Sequence, residues 1–251
     1  MKFFFKTSAI LLCFLLIISN DVNAQKKSRK MVKADQAFSA EQYNKAAELY
    51  KKVYQKAKSR ALKSEIIYKQ AECYRLSGNI KRAESYYKRA IKAKYPDVIV
   101  YLRYADILRM NEKYSEAKEQ YQKYIQLNPA DISGEMGLKS CDYAINWLEN
   151  PTRYKVELMP LINSRFSDFS PSFGNGEYSE VYFTSSRSGG FSNKIDDRTG
   201  ETFTDIYSTK LNKKGKWSVP IMLEEPINSA GNEGSVVLNK RGTTMYFTKC
   251  D

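Results

Sequence analysis

From about residue 27 to residue 149, apolar residues recur every three to four positions, the spacing that puts them on one face of a helix. The pattern predicts helices at 27–40 and 43–57, 61–77 and 80–93, then 98–111 and 114–127. Asn128-Pro129 stops the sixth. Asp131 or Ser133 can cap a seventh, running to about Glu149, whose Met136, Leu138, Cys141, Ile145 and Leu148 are suited to covering an open helical face. From Tyr154 the period changes to two. "YKVELMPL", "EVYFTSSR", "TDIYSTKL" and "KWSVPIML" are short aromatic and β-branched runs separated by turn residues, the pattern of an antiparallel meander.

The helical half repeats itself. At an offset of 34, Ile67 falls on Tyr101, Ala71 on Ala105, Ile80 on Tyr114, Ala83 on Ala117 and Tyr87 on Tyr121. Stepping back 37 from Ala83 gives Ala46, with Tyr43 and Tyr50 in register and the extra residues in the loop around 58–61. This resembles the tetratricopeptide repeat, in which two antiparallel helices meet at small residues and an aromatic side chain fills the gap to the next helix. Gly78 suits the turn inside the second repeat, and Glu112 replaces it in the third.

The resemblance implies a concave groove lined by the first helix of each repeat. Its candidate positions are Asp35 and Phe38, then Tyr68, Glu72 and Arg75, then Leu102, Asp106 and Arg109. Glu72–Arg75 and Asp106–Arg109 have the spacing of helical ion pairs. Family members that clamp a terminal carboxylate use Lys and Asn here, so an acidic ladder implies a protein partner of basic or mixed charge. Ordinary solvated ion pairs are the plainer alternative.

The β half also repeats. "DFSPSFGNGEYSEVYFTSSR" is echoed by "NEGSVVLNKRGTTMYFTKCD", with Tyr182-Phe183-Thr184 lying 64 residues before Tyr246-Phe247-Thr248. Two further strands separate them, so the unit is four strands, the size of a propeller blade. Ser170-Pro171, Tyr182-Phe183, Ser186-Arg187, Asp205-Ile206-Tyr207, Gly215, Trp217, Pro220, Pro226-Ile227-Asn228 and Glu233 are similar to the WD-like, TolB-type propeller repeat. Their order after tetratricopeptide repeats resembles the PorE-like proteins of the Bacteroidota. That resemblance implies a propeller of several blades, an OmpA-like peptidoglycan-binding domain, and a link to type IX secretion and gliding. On this reading residues 151–251 hold one blade and the first hairpin of a second, a truncated propeller. The fold class expected is therefore an all-α tetratricopeptide solenoid over 25–150 followed by an all-β, incomplete propeller.

Composition narrows the function. Residues 1–24 read as a signal peptide: Lys2 and Lys6 precede an apolar run over 7–19, and Val22-Asn23-Ala24 fits a cleavage site before Gln25. Leu12 before Cys13 is too bulky for a lipoprotein signal. Cleavage leaves Cys73, Cys141 and Cys250, an odd number with no CxxC pair, which disfavours a zinc site. The 251 residues include no histidine, which excludes Ser-His-Asp and Cys-His chemistry and any His-ligated metal. Asp196, Asp197 and Glu201 lack the spacing of a calcium loop, leaving "NKIDDRTGE" as a plain connection.

Residues 25–150 carry a net charge of +11 and residues 151–251 a net charge of +1, which separates the halves near Asn150-Pro151. "KKSRKMVK" at 26–33, with Lys51, Lys52, Lys56, Lys58, Arg60 and Lys63, makes the first repeat basic. For an exported chain nucleic acid is an implausible partner. An anionic membrane surface or cell-wall polymer suits it better, and a solvated charged face is the plainer reading. The expectation is a non-enzymatic, cofactor-free periplasmic scaffold holding protein partners in its groove, in association with the cell envelope or a secretion machinery and with no membrane span after signal cleavage. The alternatives are an exported hydrolase whose catalytic part lies elsewhere, and a wall- or carbohydrate-binding module.

Overall fold

The structure is a computed structural model, and it describes residues 28–174 and 176–250. The predicted signal peptide therefore lies outside the described residues. Among these, no helix is long and apolar enough to cross a membrane.

Among the described residues, seven helices precede the strands: α1 (Arg29–Ser39), α2 (Tyr43–Tyr54), α3 (Arg60–Leu76), α4 (Ile80–Lys92), α5 (Ile99–Met110), α6 (Tyr114–Leu127) and α7 (Ser133–Glu149). They pack as the pairs α1–α2, α3–α4 and α5–α6, with α7 against α6 and the edge of α5. The recurring small residues account for this arrangement. Ala34, Ala71 and Ala105 in the first helices, and Ala46, Ala83 and Ala117 in the second, have no exposed surface. A larger side chain there would separate the helices. Tyr50, Tyr87 and Tyr121 are equally buried and fill the space that the alanines leave. The helical half is thus a tetratricopeptide-type solenoid with one continuous core from Met31 to Cys141.

The turn inside each pair repeats as well. Glu41, Gly78 and Glu112 occupy equivalent slots with φ of 58°, 77° and 60°. Each closes the same pair of backbone bonds, as in Gly78 N to Arg75 O and Asn79 N to Tyr74 O. Glycine takes this left-handed conformation without strain, whereas a glutamate pays a steric cost of about 1–2 kcal/mol. Glu112 departs in sequence but not in geometry.

The capping helix covers less than its sequence suggested. Cys141 is buried and Leu138 packs on the core, but Met136 is 60% exposed and Leu148 67% exposed. Gly137 lies so close to Tyr121 that the tyrosine ring excludes a Cβ there, which places the covering face on 134, 137, 138 and 141.

The β half holds two sheets. β1 (Asp168–Phe173), β2 (Glu180–Ser185), β3 (Asp205–Lys210) and β4 (Ile221–Met222) form an antiparallel meander in that order. β5 (Asn232–Leu238) and β6 (Met245–Cys250) form a separate hairpin. "YKVELMPL" is not a strand. Tyr154, Val156 and Leu158 are 72%, 95% and 81% exposed, because no neighbouring strand lies beside them. "KWSVPIML" contributes only the two residues of β4 and an isolated bridge from Trp217 to Leu211.

The two hairpins share an irregularity. The β1–β2 register slips between Phe169 and Ser172, and the β5–β6 register slips between Gly234 and Val237. Ser170 and Ser235, at the two slips, both have φ of 51°. A bulge with a positive-φ serine at the same place is a shared backbone design rather than a chance likeness of sequence. The hairpin packs on the first sheet through β5: Glu233 N donates to Thr204 O at 2.8 Å, and Ser235 N donates to Thr184 Oγ1 at 3.1 Å. The small core of the first sheet gathers Ile162, Val181, Phe183 and Tyr207. Asn228, fully buried, bonds both backbone groups of Ile206 and so acts as an added rung of β3.

The turn at 196–200 is more than a connection. The Asp197 carbonyl accepts from Asn44 N at 2.9 Å and Lys45 N at 3.3 Å, satisfying amides at the start of α2 that no side chain caps. Lys45 Nζ pairs with Asp197 at 2.9 Å and Arg198 with Glu41 at 3.1 Å. A segment of the β half therefore rests on the turn of the first repeat, 152 residues away in sequence.

Two predictions follow from the packing. Ala83→Leu will overpack the α3–α4 contact and cost about 1–3 kcal/mol, read as a lowered denaturant midpoint. Asp205 is buried, with its Oδ1 unpartnered among the described residues. Burial first, then the Glu233 charge, raise its pKa against the one bond it accepts from Phe191 N. A raised carboxyl pKa makes folding less favourable above that pKa, where the buried group must ionise. Asp205→Asn will therefore stabilise the β half at neutral pH. The gain will shrink as pH falls through the folded-state pKa, measured as melting temperature against pH.

Candidate functional site

Each repeat buries a tyrosine beneath a carboxylate that precedes it by 15 residues. Tyr50 donates to Asp35 at 2.7 Å, Tyr87 donates to Glu72, and Tyr121 donates to Asp106 at 2.7 Å. In the second and third repeats an arginine completes the set. Arg75 Nε donates to Tyr87 Oη, and Arg109 Nε donates to Tyr121 Oη, both at 3.2 Å. Arg75 also holds Glu72 at 2.7 Å. The first repeat has Phe38 in the arginine slot, and Lys69 of the next repeat takes over, reaching Asp35 at 3.0 Å.

This changes the meaning of the acidic ladder. Asp35, Glu72 and Asp106 stand at matching slots, as the repeat register predicts. Their side chains are 24%, 13% and 30% exposed and are engaged by phenols and cations of the chain itself. Asp106 and Arg109 meet through Tyr121 rather than as an ion pair, and the cation near Asp106 is Arg103 at 3.8 Å. Leu102 is in the core at 6% exposure, so it supports the groove wall from behind. Burial, and then the neighbouring carboxylate, raise the pKa of Tyr50 and of Tyr87 above the tyrosine range. For Tyr121 the same two causes raise the pKa, with Arg109 opposing them.

The open space lies nearer the first and second repeats. A cleft of about 1050 Å³ is bounded by Met31 and Phe38 of α1, by Leu62, Tyr68, Lys69 and Glu72 of α3, and by Tyr95-Pro96 after α4. Tyr68 and Tyr95 stack at 4.2 Å between centroids and 7° between planes, forming a flat aromatic wall. Phe38 meets Tyr43 edge-on at 5.6 Å, which ties the opposite wall to the turn that receives the β half. Glu65, with no bonded partner among the described residues, adds a carboxylate to the lining.

Phe38, Tyr68 and Glu72 are thus brought to one cleft. Asp35 does not line it and is held by Tyr50 and Lys69, and Arg75, Leu102, Asp106 and Arg109 belong to the ladder and core. The groove slots of the register missed Tyr95 and Met31. Tyr95-Pro96 marks the repeat boundary in the sequence, and a tyrosine just past a helix end was the available signal. Among the described residues, no cluster of His, Cys, Asp and Glu side chains could hold a metal. Cys73 is inert by burial, which pushes its thiol up to about 12.

Neither a protein-family description nor a curated relative matches the chain. Solved structures similar to about half of it include the UNC-45 chaperone that binds and folds muscle myosin, at 20% identity and TM-score 0.44, covering 49% of this chain and 14% of that one. The Hsp90 co-chaperone Cns1 from Saccharomyces cerevisiae matches at 20% identity and TM-score 0.44, covering 48% of this chain and 39% of Cns1. The Sgt2 TPR domain from Aspergillus fumigatus matches at 18% identity and TM-score 0.42, covering 51% of this chain and 87% of that domain. The chain thus spans well under two thirds of the first two proteins.

Tyr87→Phe removes the phenol that donates a hydrogen bond to Glu72, a carboxylate only 13% exposed. It will cost about 1–3 kcal/mol in urea unfolding, whereas the exposed Tyr178→Phe will be neutral.

Proposed function

We propose that this protein is a non-enzymatic interaction scaffold whose solenoid takes an extended segment of a protein partner in the cleft between the first and second repeats. The observation that carries the reading is the stacked pair of Tyr68 and Tyr95, which lines one open cleft together with Met31, Phe38 and Leu62. Solenoids use such concave surfaces for binding. The ladder carboxylates are engaged internally, so recognition rests on the aromatic and apolar lining and on Glu65, which favours an apolar segment carrying a basic group.

The β half is read as a propeller-type repeat offering a second docking face. The reading is supported by the four-strand meander, by the second hairpin stacked on it, and by the bulge shared at Ser170 and Ser235. Export to the periplasm, in association with the cell envelope, is supported by the n-region, apolar run and Val22-Asn23-Ala24 of the leader.

The test is peptide-array binding and partner co-purification with Phe38→Ala and Tyr95→Ala. Each variant will weaken binding at least tenfold, about 1.4 kcal/mol, with unchanged helicity. Equal binding by both variants rejects the cleft as the site.

A further inference from the structure

A second, smaller hollow lies beside the cleft and has a different chemistry. It measures about 370 Å³ and opens between α3 and the end of α4. Arg60, Lys63 and Ile67 line it from one face of α3, and Lys92, Ala93 and Lys94 from the end of α4 and the residues after it. Tyr54, the last residue of α2, completes the lining. Four cations converge there and no carboxylate does. Among the described residues, none of the four has an acidic partner within 4.0 Å, although cations elsewhere on the solenoid, such as Lys69, Lys113 and Lys118, do.

Convergence of like charge costs free energy, and among the described residues no carboxylate pairs with these cations to offset it. Lys92 and Lys94 complement the C-terminal end of α4, which explains two of the four but not Arg60 and Lys63, at the positive end of α3. The crowding extends along this edge of the first repeat, where the neighbouring Lys56 lowers the pKa of Lys30. The hollow also has a partly apolar surface. Ile67 is buried, and Lys63 Nζ lies 5.8 Å from the centroid of the Tyr54 ring. Its size sits at the lower end of small-ligand pockets, roughly 300–1,000 Å³. That suits one anionic group with a small ring or chain attached, and not a folded segment.

We propose that this hollow is a binding site for a phosphate monoester, held by Arg60, Lys63, Lys92 and Lys94 with its organic part against Tyr54 and Ile67. A dianion matches four cations better than a single carboxylate does, and the arginine can offer two parallel donors to its oxygens. The site is independent of what occupies the larger cleft, although Lys94 borders both. The same chemistry can come from a soluble phosphorylated sugar or from a phosphate-bearing lipid headgroup.

The test titrates the full chain at low salt with glucose 1-phosphate by calorimetry, and with phosphatidic acid vesicles against phosphatidylcholine vesicles by sedimentation. Lys63→Glu combined with Lys92→Glu will weaken binding at least tenfold. Lys139→Glu combined with Lys240→Glu makes the same change of net charge at exposed positions elsewhere and will leave binding within twofold. Saturable binding of glucose 1-phosphate assigns a soluble ester, and binding confined to phosphatidic acid vesicles assigns a headgroup. Either result supports the site when only the pocket pair abolishes it. If the reversal disturbs helicity, Lys63→Gln with Lys92→Gln replaces it. The proposal is overturned if neither probe binds, if the pocket variant binds like the wild type, or if the distant pair weakens binding equally.

Discussion

The hydrogen bond from a buried tyrosine to a carboxylate on the preceding helix is the constraint on which the solenoid depends. Tyr50, Tyr87 and Tyr121 each fill the gap opened by an alanine contact, and each brings a hydroxyl into a place that water does not reach. An unpaired hydroxyl there would cost more than its bond gains, so a carboxylate must stand opposite. Asp35, Glu72 and Asp106 meet that need, and a cation then balances the carboxylate. Arg75 at Glu72, Lys69 at Asp35 and Arg103 near Asp106 meet that requirement, while Arg109 donates to the Tyr121 hydroxyl instead. Residues that resemble a recognition ladder are thereby used up in holding helix pairs together. The surface left for a partner is the aromatic cleft beside them.

Among the described residues, the β half meets the solenoid through the turn at 196–200, which rests on the first repeat, in addition to the covalent link after α7. The turn joins the far end of the helical half to the β half through the Asp197 carbonyl and two exposed ion pairs. Exposed pairs of this kind contribute little each. The contact orients the β half rather than stabilising it strongly. Arg198 stands 6.0 Å over the Tyr43 ring, and Tyr43 in turn abuts Phe38, so this joint reaches the wall of the cleft through two aromatic rings.

The helices were legible because their signal is periodic: three repeats place Ala and Tyr in register, and the Ala46, Ala83, Ala117 and Tyr50, Tyr87, Tyr121 slots are buried throughout. The left-handed turn at Glu112 was obscured because a glutamate replaced the glycine, yet the neighbouring repeats force the same geometry. Strand propensity misread "YKVELMPL", where alternation is present but no partner strand stands beside it. The repeated hairpin was readable in the echo of Tyr182-Phe183-Thr184, whereas its common bulge at Ser170 and Ser235 was not, since a backbone angle leaves no mark in residue type. The candidate site was half legible. The register found the slots of Asp35, Glu72 and Asp106 but could not say that tyrosines 15 residues later would occupy them, because that depends on side-chain direction across the helix pair.

The ladder can be tested directly through its phenols. Their raised pKa values mean that they contribute stability below the unfolded tyrosine pKa of about 10, and that this contribution falls away as pH rises beyond it. Carbon-13 labelling at tyrosine Cζ, followed by NMR with pH alongside far-UV circular dichroism, separates buried from ordinary phenols. The account predicts that the resonances of Tyr50, Tyr87 and Tyr121 hold until helicity collapses cooperatively at high pH. Smooth titration of those three near 10, with the helices intact, would contradict it.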